Sequence, residues 1–167
     1  MISLPVADEA MAVRPVAREE LVYVSAHRDR LQAPVTAKAL AAADLVLPEA
    51  TWRTQDATRV ALARFAHEAG RSLQTRIEVE DVETALELVQ RGLADSVVQR
   101  GVLDEIGPRL APDVGFVSLR PRLHDTIAVV HRKDAVLSPG ARLAIDLAVE
   151  RIRAVTEPVR EGRAATG

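Results

Sequence analysis

Residues 77–100, IEVEDVETALELVQRGLADSVVQR, hold a short strand, an acidic turn, an amphipathic helix and a second apolar strand. Val82, Ala85, Leu86, Val89 and Leu93 follow the i, i+3, i+4, i+7, i+11 spacing of one helix face. Ile77 and Val79 before that helix, and Val97 and Val98 after it, suit the interior of a parallel sheet. The stretch is therefore expected to form a strand–helix–strand crossover. Its polar turn lies at the carboxyl end of the first strand, where open α/β sheets place their ligands.

Working outward, the flanks repeat the alternation. Residues 20–25 (ELVYVS) read as a strand of branched and aromatic side chains, and Ile2 to Val6 as the tail of another. Thr36 to Ala42 suits a short helix, and Asp44 to Leu47 an apolar strand stopped by Pro48. Residues 53–69 place Thr58, Ala61, Leu62, Phe65 and Ala69 on one helix face and end at Gly70, a residue suited to a helix C-terminus. A loop with a possible helical turn spans Gly101 to Pro112. Val114 to Leu119 and Thr126 to His131 read as two strands separated by the polar RPRLHD. Ser138 and Pro139 announce the last helix as N-cap and first helical residue, followed by the stripe Ala141, Ala144, Ile145, Ala148, Ile152 and Val155. The tail from Pro158 is expected to be disordered. The fold class is α/β with a largely parallel sheet.

Composition narrows the function classes. Of 167 residues, 48% are hydrophobic and 28% charged, and the formal net charge is −2, so nothing marks the chain itself as a nucleic-acid binder. No apolar run is long enough for a membrane span, and MISLPVADEA lacks the pattern of a secretory signal. Without cysteine, disulfides and thiolate metal sites are excluded, and a cytoplasmic location is the expectation. Aromatic residues are limited to Tyr23, Trp52, Phe65 and Phe116, so the core must be aliphatic.

Catalytic patterns are missing. Glu78, Glu80, Asp81, Glu83 and Glu87 form an acidic cluster, but carboxylates at a helix start serve first to complement its dipole. The histidines at 27, 67, 124 and 131 show no metal-ligand spacing. No serine sits in a nucleophile elbow and no glycine-rich phosphate loop occurs. No enzyme, metal site or cofactor is expected. Binding is the better reading: the unpartnered N–H groups at the start of the helix after Glu80 and Asp81 can meet an anion or a carbonyl oxygen. Thr51 and Trp52 open a second helix in an equivalent position after Pro48. Trp52 reads first as a cover over the sheet edge and second as a stacking surface for a ligand.

The chain resembles the effector-binding region of LysR-type transcriptional regulators. Residues 19–26 (EELVYVSA) are similar to the strand ending the first part of that region's subdomain I. Residues 41–62 (AAADLVLPEATWRTQDATRVAL) resemble the strand, Leu-Pro, loop and helix that enter subdomain II. Residues 77–93 (IEVEDVETALELVQRGL) resemble the family's most recurrent segment, and residues 123–152 (LHDTIAVVHRKDAVLSPGARLAIDLAVERI) its returning strand and terminal helix.

The resemblance implies two Rossmann-like lobes of the periplasmic-binding-protein type II kind, the first lobe incomplete. Subdomain I would comprise residues 1–43 and 123–157 and subdomain II residues 44–122, followed by a tail over 158–167. A small-molecule effector would lie against Glu80, Asp81 and Val82, with Val98 and Gln99 opposite and Pro48, Thr51 and Trp52 nearby. Full-length members imply a homodimer that meets DNA only through a helix-turn-helix domain, for which residues 1–43 offer no recognition helix. One departure bears on the ligand: the family's usual Gly-Leu-Gly, apolar residues and proline are here Gly92-Leu93-Ala94 and then Gln99. The alternative reading is a stand-alone small-molecule-binding or interaction protein without a DNA role.

Overall fold

The computed structural model describes residues 2–3, 10–48 and 57–158. Thr51, Trp52 and the helix start expected over 51–54 lie outside the described residues, as do residues 4–6 of the first strand and 159–167 of the tail. The chain forms two compact units, one of residues 1–19 with 126–167 and one of residues 20–125.

The central unit, residues 20–125, is built around the crossover. Strands β4 (Leu45–Pro48) and β5 (Thr75–Val79) pair in parallel, Val46 opposite Ile77 and Leu47 opposite Glu78. Helix α3 (Val82–Gln90) then leads to β6 (Ser96–Gln99). A parallel bridge joins Leu45 to Asp95, so β4 lies between β5 and the start of β6. Residues 20–25 of β2 (Met11–Ser25) run antiparallel to β6, Leu21 opposite Gln99 and Val24 opposite Ser96. The sheet is mixed where a largely parallel one was expected. The sequence pattern marks β2 and β6 as buried strands, but it carries no signal for their relative direction.

Helix termini follow their local chemistry. Asp81 accepts a hydrogen bond from the Thr84 N–H at 2.7 Å and so caps α3. At the other end, Gly92 takes φ 66°, its N–H donates to the Val89 carbonyl, and the Leu93 N–H donates to Leu88. Those paired bonds form a Schellman ending. Leu93 therefore leaves the helical stripe in which it was expected, and it is 52% exposed. Helix α2 (Ala57–Glu68) ends the same way at Gly70, φ 68°, with the Arg71 N–H on Ala66 and the Gly70 N–H on His67.

Residues 100–112 are more helical than a loop reading allows: α4 spans Arg100–Ile106, and a 3-10 turn covers Gly107–Arg109. The two strands expected around RPRLHD are one 18-residue strand, β7 (Gly115–Arg132). Its polar middle stays extended because it is used: Asp125 is buried and accepts hydrogen bonds from other elements.

Residues 20–43 fall within the central unit. The reason is a shared core. Leu21, Tyr23, Val35 of β3 (Val35–Thr36) and Leu40 of α1 (Ala37–Ala41) pack with Leu45, Leu47, Leu62, Phe65 and Val97. A second cluster joins Val22, Val24 and Val46 to Ala85, Leu86, Val89 and Val98. Aliphatic burial of this kind contributes about 1.5–3 kcal/mol per fully buried side chain.

In the terminal unit, β1 (Ile2–Ser3) pairs antiparallel with β7, Ile2 opposite Ala128, and β8 (Glu157–Pro158) pairs with β2 at Ala17 and Arg18. Helix α5 (Pro139–Val155) begins as its sequence announces, with Ser138 Oγ accepting from the Ala141 N–H at 3.2 Å. Its inner face sets Ile145, Val149 and Ile152 against Val16, Ala17 and Val129.

Candidate functional site

A cavity of about 220 Å³ opens in the central unit where β4, β6, α2 and the start of α3 converge. Its apolar floor comes from Leu47, Leu62, Val97 and Val98, all of them buried. Of the residues singled out by sequence, Pro48, Glu80, Val82, Val98 and Gln99 line this one cavity. Asp81 is adjacent but does not line it. Its carboxylate is turned to the α3 N-terminus, where the Thr84 N–H, backed by that of Glu83, lowers its pKa below the usual carboxylate value. Part of the N–H set expected to face a ligand is thus taken by the chain itself.

The polar group that organises the cavity has no signature in the sequence. Asp125, 3% exposed, presents Oδ2 to the Thr58 hydroxyl at 2.5 Å and to Gln99 Nε2 at 3.1 Å. Gln99 Nε2 also reaches Thr58 Oγ1 at 3.3 Å. Residues 41 and 26 positions from Gln99 are thereby locked to one another behind the cavity wall. A buried carboxylate holding two donors fixes their rotamers, so the cavity meets a guest with its polar edge already oriented. Arg59 also lines the cavity and pairs with Glu78 of β5 at 2.9 Å, which compensates its charge. No local motif signals Thr58, Arg59 or Asp125, because each reaches the site by strand pairing and helix packing.

The site suits binding. The Thr58 hydroxyl donates to the Asp125 carboxylate and not to a histidine. Among the described residues, no group of three or more His, Asp or Glu side chains is placed to hold a metal ion. No helix among the described residues is long and apolar enough to cross a membrane.

Solved structures place this architecture. The effector-binding domain of QuiR in complex with shikimate superposes with TM-score 0.73 at 18% identity, over 90% of this chain and 69% of that one. The Synechocystis PCC6803 CcmR regulatory domain in complex with 2-PG gives 0.74 at 17% identity, over 90% and 71%. Full-length CbnR complexed with its target DNA gives 0.65 at 21% identity over 90% of this chain, which spans 50% of CbnR. These likenesses show the fold, the periplasmic-binding-protein type II arrangement of LysR substrate-binding domains. No curated protein matches the chain in sequence. The family described as the LysR substrate binding domain matches residues 1–153, and the chain belongs to that family.

Proposed function

We propose that the chain senses a small polar metabolite for a LysR-type transcriptional regulator, using the cavity of the central unit as its effector site. The observation that carries this reading is the preset polar edge of Thr58 and Gln99, held by Asp125, over an aliphatic floor. Such a site binds a compact molecule with one polar and one apolar side. The Pro-to-Gln departure at position 99 supports a ligand that hydrogen-bonds to an amide. The effector residues are Pro48, Glu80, Val82, Val98 and Gln99 from the sequence reading, joined by Thr58, with Asp81 holding the α3 turn in place.

Binding changes transcription by differential affinity: a metabolite that prefers one arrangement of the two units shifts that population. The regulator acts in the cytoplasm as a homodimer and reaches DNA through a helix-turn-helix domain. Support for a dimer comes from Leu143 and Leu147, one turn apart on α5 and 61% and 57% exposed. Shikimate and 2-PG occupy QuiR and CcmR and are the first probes to test. A panel of small hydroxy and phospho acids should contain a member that raises the melting temperature of the wild-type chain. Thr58→Val and Gln99→Ala should each remove that rise. A rise that survives in both variants would sink the site assignment.

A further inference from the structure

We infer that the central unit carries a second small-molecule site, built on Asp95, Tyr23 and Arg30, for a net-neutral zwitterion: a small aliphatic α-amino acid. Asp95 immediately precedes β6 and Gln99 ends it, four residues or about 13 Å apart along the chain, so this site is separate from the effector cavity.

The Asp95 carboxylate is satisfied on one oxygen only. The Asp95 side chain has no solvent exposure. Its Oδ2 accepts from the Tyr23 hydroxyl at 2.5 Å and from Arg30 Nη1 at 2.6 Å. Its Oδ1 is equally buried and meets no hydrogen-bond donor among the described residues. A buried carboxylate oxygen without a donor is destabilising, so a ligand that donates to it gains more than the same contact at a surface.

Asp95, Tyr23 and Arg30 share the wall of a cavity of about 310 Å³. Arg30 and Asp44, 43% and 63% exposed, lie at its solvent side. Val35, Ala39 and Ala43 supply small apolar surfaces.

Charge and shape select the guest. Asp95 is balanced by Arg30, and Asp44 pairs with Arg76 at 3.1 Å, so the cavity has no net charge to offer an ion. Asp95 Oδ1 needs a donor, and an ammonium group forms the stronger, charge-assisted bond. A guanidinium carries five N–H groups in a fork matched to carboxylate, and Arg30 commits Nη1 to Asp95. An ammonium on Asp95 and a carboxylate on Arg30 are the two ends of an amino acid backbone. The alanine wall leaves room for a short aliphatic side chain.

The test is calorimetric titration of the intact chain with glycine, alanine, valine and leucine, beside propylamine and propionate. At least one amino acid should bind wild type, with both single-ended analogues about tenfold weaker or worse. Arg30→Gln, at a half-exposed position, should weaken binding about tenfold, and Gln99→Ala should leave it unchanged. Arg30→Lys, which keeps the charge and loses the fork, should fall between, and circular dichroism confirms that each variant is folded. Failure of every amino acid to bind would overturn the inference, as would equal binding of propylamine. Binding lost in Gln99→Ala and kept in Arg30→Gln would overturn it too, since the amino acid would then occupy the effector cavity.

Discussion

Replacing Tyr23 by Phe isolates one hydroxyl inside the central unit. The ring is 3% exposed and packs with Leu21, Leu45 and Val97, contacts that Phe retains. What is lost is the donor to Asp95 Oδ2, leaving that oxygen with Arg30 and Oδ1 with no donor. A hydrogen bond to a charged, buried acceptor contributes about 1.5–3 kcal/mol, so Tyr23→Phe should destabilise by about 2 kcal/mol. For a chain of this size that is a fall of about 4–8 °C in melting temperature. The assay is thermal and urea unfolding followed by circular dichroism, run as a double-mutant cycle with Asp95→Val. In the Asp95→Val background the hydroxyl has no acceptor, so the same Tyr23→Phe change should cost nothing or stabilise slightly. An equal loss in both backgrounds would refute the reasoning, because the cost would then reside in ring packing. So would a wild-type-background loss below about 0.5 kcal/mol.

Other expectations follow from the same geometry. Burial first, then the hydrogen bond and charge of Asp95, raise the Tyr23 pKa above its ordinary 10.0, against a smaller opposing effect of Arg30. A group whose folded pKa is raised contributes its stability in full below 10.0 and loses it as pH rises through the folded value, so unfolding scans above pH 10 should show an alkaline decline that Tyr23→Phe removes. Asp81 is the opposite case: its pKa is lowered from 3.8, so its capping contribution is complete above that value and fades as pH falls through the folded one. Asp81→Ala should therefore lower stability at neutral pH and flatten the acid limb of the stability curve. Gly92→Ala places a side chain at φ 66°, where its Cβ would meet only the His27 ring at 3.6 Å. The cost should be backbone strain of about 1–2 kcal/mol, and Gly92→Asn should recover part of it in the same unfolding assay.

Local chemistry made much of the fold legible. The Ser138-Pro139 helix start, the acidic start of α3 and the Gly70 ending each depend on a few adjacent residues, and each is found where the sequence puts it. Leu93 shows the limit of periodicity, because it fits the α3 stripe by spacing alone while Gly92 ends the helix before it. The long β7 shows a second limit. Its RPRLHD segment looks like a polar connection until Asp125 is seen holding Thr58 and Gln99.

The site divides in the same way. Pro48, Glu80, Val82, Val98 and Gln99 were expected from the resemblance and from their places at strand ends and helix starts, and they line one cavity. Thr58 and Asp125 were not found, since the contact between them spans 67 residues. Asp95 carries no signal in the sequence, and only its pairing with Tyr23, 72 residues away, and with Arg30 shows it to be a buried, hydrogen-bonded carboxylate. The sequence by itself determined the α/β class, the starts of α3 and α5 and the family, because these rest on local propensity, periodicity and short motifs. Strand direction, the extent of each unit and the polar clusters at both ends of β6 were decided by tertiary structure. Those features depend on which distant residues share a buried, low-dielectric space, and no local pattern encodes that.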